Sequence, residues 1–147
     1  MLELGGSDAF VVLEDADLDL AAETAVKARF INAGQSCIAA KRFIVVESVL
    51  TDFLHRLRTG IEALRPGDPL LRETSLAPMA RADLRDELHA QVQASIKAGA
   101  VPLIGGQVVD GPGFFYSATL LDRVVPGMPA YDDELFGPVA VVIRAAD

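Results

Sequence analysis

The sequence predicts an α/β fold, a three-layer mainly parallel sheet with flanking helices. Two observations carry that expectation. Short apolar, β-branched runs alternate along the chain with longer stretches of three- and four-residue hydrophobic periodicity. That alternation is the pattern of crossover units, which cover a parallel sheet on both faces. A chain of 147 residues is also long enough for one domain with a real core.

The elements follow in order. Ala9 to Leu13 is a short apolar run and reads as a buried strand. Asp15-Ala16-Asp17 offers acidic N-caps for a helix whose apolar face is Leu18, Ala22, Ala25, Val26, Phe30 and Ala33, with Gly34 as its stop. Phe43 to Val46 is a β-branched strand. Ser48 can cap a second helix with a stripe of Leu50, Phe53, Leu54, Leu57, Ile61 and Leu64, ended by Pro66-Gly67-Asp68-Pro69. A polar loop runs to about Ala80. A third helix places Leu84, Leu88, Val92 and Ile96 four residues apart, with Gly99 as its stop. Val101 to Ile104 reads as a strand closed by Gly105-Gly106, Phe114 to Leu121 as extended chain, Pro126 to Pro129 as a loop, and Val139 to Ile143 as a last apolar strand. There is no internal repeat and no low-complexity segment. The chain starts almost in a strand and ends just after one, so it reads as a piece of a longer protein.

Composition narrows the function classes. A net charge of −8 disfavours nucleic acid and acidic membranes as partners. No apolar run approaches the length of a bilayer span, and the N-terminus lacks a basic signal region. The single cysteine, Cys37, excludes an internal disulfide and fits a reducing, cytoplasmic compartment. His55 and His89 fall on predicted helices, on faces opposite the apolar stripes, with no second ligand at metal spacing, so no metal site is expected.

Four spots bear chemistry. Cys37 sits at a helix-to-strand junction behind Gly34. It reads either as a small buried hydrophobe or as a nucleophile whose thiolate is held by nearby backbone N–H groups. Glu3 lies between leucines and before Gly5-Gly6. It reads as a solvated charge, or as a general base in apolar surroundings. Asp132-Asp133-Glu134-Leu135-Phe136 reads as a surface turn, or as a carboxylate for a ribose hydroxyl pair with a ring to pack against a cofactor. Gly105-Gly106 lacks any phosphate-binding pattern and reads as a turn.

In this order the spots resemble the aldehyde dehydrogenase superfamily. Leu2-Glu3-Leu4-Gly5-Gly6 resembles its glutamate motif and Asn32-Ala33-Gly34-Gln35-Ser36-Cys37 its cysteine motif, 34 residues apart from Glu3 to Cys37. Glu134-Leu135-Phe136-Gly137-Pro138 resembles its third motif. Val12 to Leu18, Gly67-Asp68-Pro69 and Gly105-Gly106 also fall in family order. Ser7-Asp8, Cys37 to Arg42 and Met128-Pro129-Ala130-Tyr131 are most similar to the bacterial succinate-semialdehyde dehydrogenase group.

The resemblance implies an NAD- or NADP-dependent oxidation of an aldehyde to the acid. Cys37 would be the nucleophile, forming a thiohemiacetal and then a thioester, with its backbone N–H and an upstream asparagine as oxyanion donors. Glu3 would activate water, Leu4, Gly5, Glu134 and Phe136 would line the cofactor, and no metal is implied. It also implies that residues 1–147 are part of a catalytic (thiol) domain, from a parent about three times as long. A cofactor-binding domain and a C-terminal oligomerisation arm would lie outside the chain. The parent is then expected to be a homo-oligomer and the piece alone inactive and prone to self-association. Two other readings stay open on the residues: a Cys–His hydrolase, which needs a histidine at Cys37, and a non-catalytic folded module.

Overall fold

In the computed structural model, which describes residues 5–146, the strands are β1 (Ala9–Val12), β2 (Arg42–Val46), β3 (Val101–Ile104), β4 (Thr119–Asp122) and β5 (Val139–Ala145). They form one five-stranded sheet in the order β1-β2-β5-β4-β3. The β1–β2, β2–β5 and β5–β4 pairs are parallel, and β3 is antiparallel to β4 at the far edge. The mainly parallel α/β sheet expected from the sequence is therefore present. Pro102, which cannot donate to a ladder, lies in that edge strand.

The side-chain period of two splits β4 and β5 between two cores. Leu120, Ala140 and Val142 face the layer made by helices α1 (Leu18–Phe30) and α2 (Glu47–Glu62). Leu121, Val139 and Val141 face the opposite layer, with Leu88 and Val92 of α3 (Ala82–Lys97) and Ala130 of the short helix α4 (Pro129–Asp132). The chain thus makes three layers, and its site lies on the segments that lead into β2 and β5.

Asp17 caps α1 as its residue type predicts, its Oδ1 accepting from the N–H groups of Asp19 and Leu20. Several boundaries differ from the sequence reading. The run at Ala9 is an edge strand and not a buried one: Val12 is buried, but Val11 is 57% exposed. Helix α1 ends at Phe30, short of Gly34, because Asn32 and Ala33 take left-handed φ angles of 51° and 53°. Helix α2 begins at Glu47 directly from β2, with no side-chain cap, so Ser48 lies inside the first turn. Helix α4 replaces the end of the expected loop; four residues are too few to show a period. Phe114 and Tyr116 make isolated bridges to Met79 and Val108, and only Thr119–Asp122 joins the sheet. Gly105 and Gly106, at φ 70° and 81°, close β3 as a turn.

Candidate active site

Cys37 sits in the loop between the left-handed turn Ile31–Gly34 and β2. Asn32 tolerates its positive φ better than most residues. The turn is closed by two reciprocal bonds: Asn32 Nδ2 donates to Gln35 O at 3.0 Å, and Gln35 Nε2 donates to Asn32 O at 3.2 Å. Gln35 Oε1 also accepts from Ala80 N–H at 2.8 Å, anchoring the loop to the start of α3. The result is an exposed thiol beside an exposed Ile38. The buried-hydrophobe reading of Cys37 is thereby excluded.

Two buried cations brace the loop from beneath. Lys41 is 1% exposed. Its Nζ donates to Cys37 O at 3.1 Å and to Ser36 O and Ala39 O at 3.3 Å each. It also lies 3.3 Å from Glu134 Oε1. Arg29, fully buried on α1, donates to Ala40 O and Gly34 O on the cysteine loop, and to Leu135 O and Gly137 O on the segment before β5. Burial pulls the Arg29 pKa down to about 10, partly opposed by the Glu134 charge, so the guanidinium is still protonated at neutral pH.

The three sequence motifs meet here. Glu134 follows α4, and its side chain is 27% exposed. Gly5 lies directly against Glu134 Oε2, so that any side chain at Gly5 would overlap the carboxylate. A Cβ at Gly6 would lie 2.9 Å from Cys37 O. The Gly5-Gly6 backbone therefore runs between Glu134 and the cysteine loop: a Cβ at Gly5 would displace the end of the Glu134 side chain, and one at Gly6 would crowd backbone. Phe136 is half-buried, one residue past the buried Leu135. Glu3 and Leu4 lie outside the described residues.

Both histidines sit elsewhere. His55 is exposed on α2 and borders a groove against α1. His89 does not stand on a fully polar face as expected: it is half-buried, with Nδ1 3.2 Å from the Tyr116 hydroxyl. Among the described residues, no cluster of three or more His, Cys, Asp or Glu is placed to hold a metal ion. Nor is any described helix long and apolar enough to cross a membrane.

Arg29 and Lys41 escaped the sequence reading, although both left a signal. Arg29 stands four residues after Ala25 and seven after Ala22, on the apolar face of α1. Lys41 precedes the buried Phe43 and Val45 at a spacing of two, which points it inward.

A sequence profile described as the aldehyde dehydrogenase family matches residues 1–147. The chain belongs to the aldehyde dehydrogenase family. It is 50% identical to the succinate semialdehyde dehydrogenase (NAD(P)+) of Escherichia coli, covering all of this chain and 32% of that protein. It is 54% identical over 141 residues to a probable succinate-semialdehyde dehydrogenase (NADP+) of Synechocystis, covering 96% of this chain and 31% of that one. The fold superposes on the crystal structure of succinate-semialdehyde dehydrogenase from Burkholderia pseudomallei with a TM-score of 0.95 at 32% identity, over 99% of this chain and 30% of that one. Lactaldehyde dehydrogenase from Escherichia coli gives the same TM-score at 34% identity, over 99% of this chain and 31% of that one. The chain spans about a third of the length of the curated relatives that it matches.

Proposed function

We propose that this chain is the thiol-bearing part of an NAD(P)-dependent aldehyde dehydrogenase acting on succinate semialdehyde. The observation that carries the reading is the meeting of Gly5-Gly6, the Cys37 loop and Glu134 at one place, from three distant parts of a family member. The subgroup rests on the names of the relatives at about half identity.

The Cys37 thiolate attacks the aldehyde carbon; a C–S bond forms and the carbonyl electron pair moves onto oxygen. The Cys37 N–H donates a hydrogen bond to the oxyanion that develops. Nicotinamide, when bound, would supply the acceptor for the hydride that the tetrahedral adduct must lose to become a thioester, while Cys37 holds the acyl group. Glu3 takes a proton from water, the water oxygen attacks the thioester carbon, and the acid leaves as the thiolate returns.

The residues present fit the nicotinamide ribose. Glu134 Oε1 is a buried acceptor that receives no hydrogen bond among the described residues, and Gly5 keeps the space at Oε2 free of a side chain. Glu134 would accept from ribose hydroxyls, while Leu4, Gly5 and Phe136 would pack against the cofactor. Exposed Cys37 also separates this reading from the non-catalytic module, for which an inert, buried thiol is expected.

The test uses the full-length gene product that carries this segment, given succinate semialdehyde with NAD+ or NADP+. Reduced nicotinamide should accumulate, and Cys37→Ala should abolish it. The 147-residue chain by itself should produce none. Exposed apolar side chains such as Ile38 at 80% and Leu70 at 89% should make it self-associate, as read by light scattering. A full-length protein that leaves the aldehyde untouched would overturn the reading.

A further inference from the structure

We infer that Lys41 is a positioning residue that sets the Cys37 peptide N–H to face a developing oxyanion. The inference rests on Cys37 being the nucleophile, as proposed above. A trans peptide is planar, so its C=O and N–H point in opposite directions. The Ser36 carbonyl is turned onto the Lys41 ammonium, so the Cys37 N–H is turned away from it. The Cys37 carbonyl is held the same way, which turns the Ile38 N–H outward as well. Among the described residues, no acceptor receives a hydrogen bond from either N–H. Two open donors therefore stand beside an exposed thiol, fixed by a charge beneath them.

The donor count explains the arrangement around Lys41. An ammonium has three N–H donors, and the carbonyls of Ser36, Cys37 and Ala39 use all three. Glu134 Oε1, 3.3 Å away, then meets the charge but receives no proton from it. Its carboxylate offsets the burial of Lys41 while Oε1 receives no hydrogen bond among the described residues. Charge-assisted bonds to carbonyls are about twice as strong as neutral ones, so the loop is held against rotation of its peptide planes.

Two probes of Cys37 separate this role from a merely structural one. Acylation by p-nitrophenyl acetate passes through a tetrahedral oxyanion: the thiolate adds to the ester carbon, then p-nitrophenolate leaves. Alkylation by iodoacetamide displaces iodide with no oxyanion. In the full-length protein, Lys41→Met should slow acylation about a hundredfold, the typical effect of losing one oxyanion donor. Alkylation should change by no more than a few-fold. Lys41→Arg keeps the charge, but its planar fork cannot serve three converging carbonyls; it should fall between the two and guards against a misfolded methionine variant.

Equal slowing of both probes, or no change in their ratio in either variant, would overturn the inference even if the wild type oxidises aldehydes. A wild type that alkylates readily but never acylates would also overturn it. A selective loss of acylation in a protein that oxidises no aldehyde would instead support the role of Lys41 and sink the proposed reaction.

Discussion

The guanidinium of Arg29 donates to the carbonyl oxygen of Gly137, 108 residues further along the chain. The same guanidinium serves Gly34 O, Ala40 O and Leu135 O, so one side chain ties the cysteine loop to the segment that carries Glu134. Arg29→Met keeps most of the volume but leaves these carbonyls without their donor. Each unsatisfied buried polar group costs about 1–3 kcal/mol, and partial relaxation should bring the total loss to roughly 3 kcal/mol. Arg29→Lys keeps the charge and fewer bonds, and should lose less. Denaturant midpoints measure both; two variants as stable as wild type would show that the clasp carries no net stability.

Gly34 gives a sharper contrast. Its φ of 73° lies in the left-handed region, and a Cβ there would overlap Gly137 O. Gly127 has a similar φ of 91° but open space around it. Both alanine variants meet left-handed strain of about 1–2 kcal/mol. Only Gly34→Ala also forces two backbones apart, and it should lose at least about 2 kcal/mol more. Thermal unfolding of the two side by side tests this, and equal losses would mean that the Gly34–Gly137 approach relaxes freely.

Exposure of Cys37 has its own consequence. The native chain should react with one equivalent of a disulfide reagent without denaturant, as read by mass spectrometry. Labelling that needs unfolding would contradict the exposure of Cys37.

How far the sequence showed all this differs by feature. The sheet was readable because β2 and β5 are runs of β-branched residues, and their alternation assigns Phe43, Val45 and Val142 to one core and Val141 to the other. Helix α4 was not readable, since four residues carry no period. The left-handed Asn32-Ala33 pair was hidden by an apolar spacing that carries on through Ala33. At the site, Cys37 and Glu134 were legible as residue types, but the contact of Gly5 with Glu134 joins positions at opposite ends of the chain. Only the resemblance of the motifs joined those ends before the fold did. Lys41 and Arg29 have no role in the sequence reading, although the side-chain period carries both inward.

Tyr116 provides a test in alkaline solution. The residue is 2% exposed, and its hydroxyl lies 3.2 Å from His89 Nδ1. Burial pushes its pKa well above the ordinary tyrosine value. Between about pH 10 and that raised value the unfolded chain has released the proton and the folded chain still holds it. The folded state then binds more protons, so this group's contribution to stability is full below about pH 10 and is lost as pH rises further. Tyr116→Phe lacks the titration. At about pH 8 the variant should be less stable by roughly 1 kcal/mol, for the lost hydrogen bond to His89. Above about pH 10 that deficit should shrink, by at most about 1.4 kcal/mol per pH unit, and then reverse. Urea titrations of both proteins across that range measure the difference, in which titrations common to the two cancel. A deficit that stays constant to about pH 11 would mean that the Tyr116 phenol ionises in the folded chain as readily as in the unfolded one.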